Sequence, residues 1–309
     1  GTRRRRVRPL WGDFRTFAAM QSKSYSLPDI LSRLNIDALN DMQTTSIATN
    51  EQHSNVVLLS ATGSGKTLAF LFSILDLLDP QNKKKKALIV VPSRELAMQI
   101  EKVFKSLGTW YKVTCCYGGH LRETEENNLL QPPALLIGTP GRLGDHIRRG
   151  NITVDTIETL VLDEFDKTLE SGFYEEVAFI ISSLPALNKR ILTSATEAVE
   201  IPDFIGLENP VKLNFLSATD ELPEGLAIKL VQSDEKDKLK TLFKLICYLG
   251  NRSTVVFCNH RESVERTSAY LTEQTITNVF YHGAMEQQER DNALCKFRNG
   301  TSNILVTTD

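Results

Sequence analysis

The chain has 309 residues, 41% hydrophobic and 24% charged, which is the balance of an ordinary soluble globular protein with room for two domains. No apolar run approaches a membrane span and no secretory signal is visible at the start, so a cytoplasmic protein with no membrane partner is expected. The formal net charge is −2, yet residues 1–20 hold six arginines against one aspartate, so the remainder is more acidic still. Overall charge therefore gives no support to nucleic-acid binding by the folded body, and any such binding needs a local stripe of donors. Five cysteines, including the adjacent Cys115 and Cys116, lack paired CxxC spacing and read as buried free thiols of a reducing compartment.

Residues 1–20 begin Gly1-Thr2-Arg3-Arg4-Arg5-Arg6 and read as a disordered basic leader of cloning or upstream origin. A globular pattern starts at Leu27. Val56–Leu59 predicts a strand, followed by a helix over Lys66–Leu78 with Leu68, Leu71, Phe72 and Leu75 on one face. That helix should stop at Asp79-Pro80, and Lys83–Lys86 should be a solvated loop. Ala87–Val91 is a strand and Arg94–Leu107 a helix. Val113–Tyr117, Ala134–Ile137, Thr159–Leu162 and Arg190–Thr193 are further strands. Such alternation argues for a parallel sheet covered on both faces. Around 214–226 the pattern breaks into Ser, Asp, Glu, Pro and Gly, which reads as a linker between a first domain over 21–213 and a second over 227–309. In the second, strands are expected at Ala227–Val231, Thr254–Phe257, Thr277–Tyr281 and from Asn303, with helices over Lys236–Leu249, Glu262–Glu273 and Gln287–Phe297.

Two junctions carry chemistry. Val56–Leu59 runs into Ser60-Ala61-Thr62-Gly63-Ser64-Gly65-Lys66-Thr67 just before a helix. Backbone N–H groups of a glycine-rich turn at a helix N-terminus can surround phosphates. Gly63 and Gly65 supply the close approach, with Thr62 and Ser64 in the same turn. Lys66 would neutralise the β- and γ-phosphates, and Thr67 would ligate Mg²⁺. The second junction is Thr159–Leu162 running into Asp163-Glu164-Phe165-Asp166. A carboxylate there, Asp163, can hold Mg²⁺, while Glu164 polarises an attacking water. ATP and Mg²⁺ are the expected cofactors.

The order of motifs resembles the DEAD-box ATP-dependent RNA helicases over roughly Leu27 to Asp309. Asp163–Asp166 looks like the name-giving tetrad, with Phe165 where alanine is usual. Ser60–Thr67 resembles the phosphate loop, which ordinarily starts with alanine. Pro92-Ser93-Arg94-Glu95-Leu96-Ala97 resembles Pro-Thr-Arg-Glu-Leu-Ala. Gly118-Gly119 and Thr139-Pro140-Gly141-Arg142 match RNA-contacting elements. Ser194-Ala195-Thr196 matches the segment that links hydrolysis to strand separation, and His282-Gly283 with Gln287 and Arg290 resembles a Gln-x-x-Arg segment.

The resemblance implies an α/β fold of two RecA-like parallel-sheet domains in tandem, the second incomplete. It implies catalytic roles for Lys66, Asp163, Glu164, Asp166, Ser194 and Thr196. It also implies that Gln43 reads adenine, although the usual preceding proline is missing and the stacking aromatic has only Tyr25 and Phe17 as candidates at unusual spacing. RNA would be gripped by its backbone, with bases unread, through Arg94, Gly119, Thr139, Arg142, Gly283 and Arg290. A monomer is expected, and protein partners cannot be read from the sequence.

Two of the family's later segments, Arg-Gly-x-Asp and His-Arg-x-Gly-Arg-x-x-Arg, are not in the chain. Losing an arginine of the second kind typically costs about 10³–10⁵ in turnover. The chain by itself is therefore expected to be a poor enzyme, with an exposed strand edge in its second sheet. The readings that compete with a helicase are a non-catalytic ATP- and RNA-binding fragment and a DNA-directed helicase of the same superfamily.

Overall fold

A computed structural model describes residues 26–78, 86–119, 121–197, 200–216, 227–233 and 236–308. The expected leader, Phe17, Tyr25, the Asp79-Pro80 helix stop, Lys83–Lys85 and positions 217–226 of the expected linker lie outside the described residues. The chain divides at Asp220/Glu221 into two compact units.

In the first unit α1 (Leu27–Arg33) and α2 (Asp41–Gln52) precede β1 (Asn55–Leu59) and α3 (Lys66–Leu77). Then follow β2 (Lys86–Val90), α4 (Arg94–Ser106), β3 (Val113–Cys116), α5 (Arg122–Leu129), β4 (Leu135–Gly138) and α6 (Pro140–Arg148). The unit closes with β5 (Ile157–Leu162), α7 (Phe165–Glu170), α8 (Tyr174–Ser182), β6 (Lys189–Ser194) and β7 (Val211–Asn214). Lys86, expected in a loop, is the first residue of β2, and Asn214, expected in the linker, is the last of β7.

The seven strands lie in the order β3-β4-β2-β5-β6-β1-β7, and every pairing is parallel. Continuous apolar runs produce this sheet because both of its faces are buried. Ile89 joins a core with Phe70, Ile74, Ile100 and Phe104 from α3 and α4. Its neighbours Leu88 and Val90 join the opposite core with Leu143, Val177 and Ile180 from α6 and α8. Helix starts follow local chemistry. The Ser93 hydroxyl accepts from the Leu96 N–H at 3.2 Å to cap α4, and Pro140 at N1 opens α6, where a missing N–H costs nothing.

The second unit holds α9 (Leu239–Leu249), β8 (Thr254–Phe257), α10 (Arg261–Glu273), β9 (Val279–Tyr281), α11 (Gln287–Arg298) and β10 (Ile304–Thr307). Its parallel sheet has the order β8-β10-β9 over a core of Ile246, Val264, Leu271, Ile304 and Val306. Both β8 and β9 are edges among the described residues, and on β8 Phe257 is 68% exposed.

Three expectations are corrected here. Ala227–Val231 is not a strand: Ile228 and Leu230 are 75% and 89% exposed, and β10 pairs only with β8 and β9. A short apolar run becomes a strand only when a neighbour takes up its backbone groups. The cysteines are free but not uniformly buried, because Cys247 and Cys295 sit on exposed positions of α9 and α11. Thr277–Tyr281 also shortens to Val279–Tyr281.

Gly138 lets β3 and β4 close together at the end from which α6 departs. A Cβ there would stand 2.4 Å from the Cys116 carbonyl oxygen and 2.7 Å from Leu143 Cγ. The obstacle is backbone, which cannot rotate away, so Gly138→Ala should destabilise the protein by about 1–3 kcal/mol. Urea unfolding checks this, and an unchanged midpoint would contradict the packing described.

Candidate functional site

A parallel sheet delivers all its strand ends to one edge, and the loops there are where ligands collect. At the end of β1 the chain turns through Ser60–Gly65 into α3. Ser60 N–H donates to the Ser194 carbonyl at 3.1 Å, and its hydroxyl donates to the Ser64 hydroxyl at 2.6 Å. Gly65 has φ 93°, a left-handed conformation that glycine adopts without penalty. Thr62 and Gly63 are exposed at the tip of the turn, while Lys66 is only 8% exposed. The Lys66 ammonium reaches back inside the turn to the Ser60 and Ala61 carbonyls at 2.5 and 3.3 Å. Burial lowers its pKa, and the negative charges of Asp163, Glu164 and Asp166 oppose that shift. The result is a buried cation at a helix N-terminus, a combination that suits phosphate.

Two strands along, β5 ends in the acidic loop. Asp163 is 3% exposed and accepts a hydrogen bond from the Thr193 hydroxyl. Burial pushes its pKa up to about 6, against the help of Thr193 and Lys66. Glu164 has φ 49° and ψ 50°, unusual for a residue with a side chain and worth about 1–3 kcal/mol of strain. The Thr193 hydroxyl accepts from the Glu164 N–H at 3.2 Å, and Lys167 Nζ pairs with Glu164 Oε2 at 3.1 Å. Phe165, the tetrad's unusual residue, is 3% exposed and packed in the core with Leu162 and Val177. That contact anchors the loop from below.

Asp166 connects the loop to β6. Its Oδ2 accepts from the Thr196 hydroxyl at 3.1 Å, and the Ser194 hydroxyl both donates to the Thr196 carbonyl and accepts from the Thr196 N–H. Asp166 Oδ1 is buried with no hydrogen-bond partner among the described residues. A carboxylate oxygen left so is an opening for a water or for the hydration shell of a cation. In chemistry, a donor set of the Asp163 and Asp166 carboxylates with the Thr67 hydroxyl, all oxygen, fits Mg²⁺.

Gln43 is 5% exposed, at position N3 of α2. Its Oε1 accepts from Asn40 N–H at 3.0 Å, the Asn40 side chain accepts from Gln43 N–H at 2.9 Å, and Gln43 Nε2 donates to the Gly65 carbonyl at 3.3 Å. Asn40 Nδ2 donates to the Ser64 carbonyl at 3.1 Å. The N-terminus of α2 is thus fastened to the phosphate loop. Its C-terminus is fastened too, since buried Lys189 on β6 donates to the carbonyls of Asn50 and His53 at 2.5 and 2.6 Å.

The remaining predicted residues of the first unit gather at the ends of β2, β3 and β4. Arg94 opens α4 and its guanidinium lies 5.3 Å from the centre of the Tyr117 ring. Gly118-Gly119 follows Tyr117. The Thr139 N–H donates to the Cys116 carbonyl at 3.1 Å, and Thr139 leads into α6, which carries Arg142. In the second unit Gly283 follows β9, and Arg290 on α11 donates to Gln287 Oε1 at 3.3 Å while its guanidinium lies 5.5 Å from the Tyr281 ring centre. Sequence reasoning missed Asn40, Thr193, Glu125 and Lys189. Only Asn40 left a signal, as a capping residue three positions before a glutamine.

Residues 40–204 match the DEAD/DEAH box helicase family and residues 237–309 match the helicase conserved C-terminal domain. Eukaryotic initiation factor 4A of Caenorhabditis elegans is 35% identical over 264 residues, 82% of this chain and 64% of that protein. The ATP-dependent RNA helicase eIF4A of Schizosaccharomyces pombe is 36% identical over 261 residues, 82% of this chain and 66% of that protein. The chain thus spans about two thirds of the length of these relatives. In fold it is similar to S. cerevisiae Dbp5 bound to RNA and ADP BeF3, with a TM-score of 0.74 and 23% identity, over 94% of this chain and 75% of that one. Dbp5 L327V bound to Gle1 H337R and IP6 gives a TM-score of 0.70 at 24% identity, over 94% and 74%. No helix among the described residues is long and apolar enough to cross a membrane. With a family match over more than half its residues and relatives this similar, the chain belongs to the DEAD/DEAH box helicases.

Proposed function

We propose that the chain is the nucleotide- and RNA-binding part of a cytoplasmic ATP-dependent RNA helicase. The observation that carries this reading is the convergence of three loops on adjacent strands β1, β6 and β5. They bring one buried lysine, three acidic groups and the Ser194–Thr196 turn to one edge. Lys66 gives up the Ser60 and Ala61 carbonyls for the β- and γ-phosphates, whose oxygens the amides of Gly63–Lys66 also meet. Thr67 and Asp163 would hold Mg²⁺, which supplies charge neutralisation at the phosphates when bound. Glu164, held in its unusual backbone conformation, orients the attacking water. The Asp166–Thr196 hydrogen bond couples that event to the end of β6.

Gln43 keeps one amide hydrogen and one carbonyl lone pair beyond those its hydrogen bonds to Asn40 and Gly65 use. Those two suit the adjacent donor and acceptor on adenine's edge. RNA would lie across the other half of the same edge, on Arg94, Gly119, Thr139 and Arg142; in the second unit, taken by itself, Gly283 and Arg290 are the proposed RNA contacts. The Dbp5 neighbour, solved with RNA and ADP BeF3, has this fold and supports the same pair of ligands.

Calorimetric titration with ATP and Mg²⁺, beside phosphate release with and without single-stranded RNA, tests the assignments. Lys66→Ala should weaken ATP binding by at least about tenfold, the value of one charge-assisted contact. Glu164→Gln should bind ATP normally and lose any RNA-stimulated turnover, and equal turnover would remove Glu164 as the water-orienting group.

Gln43→Ala should narrow the preference for ATP over GTP by about tenfold, through lost hydrogen bonds to adenine. A wild-type preference in a competition titration would refute the adenine role.

Protons compete with Mg²⁺ for Asp163, whose pKa stands near 6 in the cation-free site. Below that value Mg²⁺ affinity in the presence of ADP should fall by about tenfold per pH unit, and above it should level off. Mn²⁺ titration followed by electron paramagnetic resonance reads this, and Asp163→Asn should reduce the pH dependence to that of the ADP phosphate itself.

A further inference from the structure

Beneath the proposed RNA-gripping edge lies a buried polar cluster that no role above uses. Cys116, Glu125 and His146 bring ligand-type atoms within 4.8 Å of one another, each with its side chain out of solvent. A metal centre would need a thiolate, but burial and the charge of Glu125 push the Cys116 thiol well above its ordinary pKa. The Arg142 guanidinium, with Nε 3.5 Å from Glu125 Oε2, would further oppose a cation. The cluster is instead organised around the carboxylate.

Glu125 sits on α5 with a side chain 1% exposed, and three partners from other segments surround it. Oε1 accepts from the Tyr117 N–H at 3.1 Å, immediately before Gly118-Gly119. Oε2 meets His146 Nε2 at 2.7 Å and Arg142 Nε at 3.5 Å, both on α6. The Asn151 amide lies 3.0 Å from His146 Nδ1, so donation by Asn151 leaves Nε2 as the protonated nitrogen that donates to Glu125. The Tyr117 ring, whose own backbone Glu125 holds, lies beneath the Arg94 guanidinium. One buried carboxylate therefore ties the glycine turn, the Thr139–Arg142 helix start and, through Tyr117, Arg94.

We propose that Glu125 is a positioning residue for RNA, fixing the spacing between the Gly118-Gly119 turn and Arg142 so that both meet successive phosphates of one strand. The inference rests on the reading of that edge as the RNA contact. A buried carboxylate suits the task because removing one partner of such a pair leaves the others uncompensated, so the arrangement tolerates no intermediate spacing. It also explains how an acidic domain presents a cation to RNA. Arg142 is paired with Glu125 at Nε from within, and its side chain is 14% exposed.

The test is binding of a fluorescent oligo-uridine to the 309-residue chain, with ATP affinity and thermal unfolding measured in parallel. In Glu125→Gln the amide hydrogens face the His146 donor and the charge opposite Arg142 is gone. RNA affinity should fall about tenfold, the worth of one charge-assisted hydrogen bond. ATP affinity should stay within twofold. The slope of log affinity against log salt should drop by about 0.7, one phosphate contact on a single strand. A purely structural role would lower the unfolding midpoint and leave that slope alone.

Arg142→Ala is the control. If it weakens RNA binding while Glu125→Gln does not, the positioning role is overturned and the RNA edge stands. If Arg142→Ala leaves RNA binding unchanged, the edge itself is misassigned and the proposal falls with it. Should Glu125→Gln fail to fold, Glu125→Asp keeps the charge but withdraws it from Tyr117. The same loss of RNA affinity and slope is then expected, and wild-type values overturn the proposal.

Discussion

Everything in the first unit depends on the parallel direction of its seven strands. Because each strand must be re-entered from the same side, every crossover from β1 to β6 passes through a helix, and every strand empties at one edge. The order β3-β4-β2-β5-β6-β1-β7 then sorts the loops by chemistry. Those after β1, β6 and β5 carry the lysine, the hydroxyls and the carboxylates. Those after β2, β4 and β3 carry arginines, glycines and a helix start. Two chemically distinct groups of loops side by side need no separate domain, only this strand order.

The acidic loop shows how a soluble protein keeps like charges together. Asp163, Glu164 and Asp166 follow one another closely, and burial raises the free energy of the ionised Asp163. Lys66 offsets part of that cost, and its own pKa is lowered by the same burial. Each group is thus in an environment unfavourable to its charge that is relieved by the other. The backbone at Glu164 is strained as well, and Phe165 in the core prevents the loop from relaxing outward. Filling the alanine position of the tetrad with a phenylalanine exchanges a small contact for a large buried one of about 2–3 kcal/mol.

Much of this was legible in the sequence, for identifiable reasons. The apolar runs at Val56–Leu59 and Thr159–Leu162 are continuous because both sheet faces are covered, and their polar sequels sit in the loops where the sheet ends. The phosphate loop was legible through glycine spacing. Ala227–Val231 misled because an apolar run describes only the chain's own preference, whereas a strand also requires a neighbour's backbone. Glu125 was illegible because its three partners lie eight, seventeen and twenty-one positions away, one after β3 and two on α6. A lone glutamate in an acidic helix carries no mark of burial. Cys247 and Cys295 went wrong for a related reason, since composition favours burial of thiols but helix rotation decides it.

Helix α2 is held at both ends, by Asn40 and Gln43 on the phosphate loop and by Lys189 on its last carbonyls. It is therefore a strut of fixed length between β6 and the start of α3. Side chains on such a strut are read by angle as well as by identity. Inserting or deleting one residue between 44 and 50 would turn the Gln43 amide by about 100° relative to Lys189 and shift it about 1.5 Å along the axis. Point substitutions on the outer face of α2 leave that register alone. This stretch should consequently accept varied residues across related chains while tolerating no change in length.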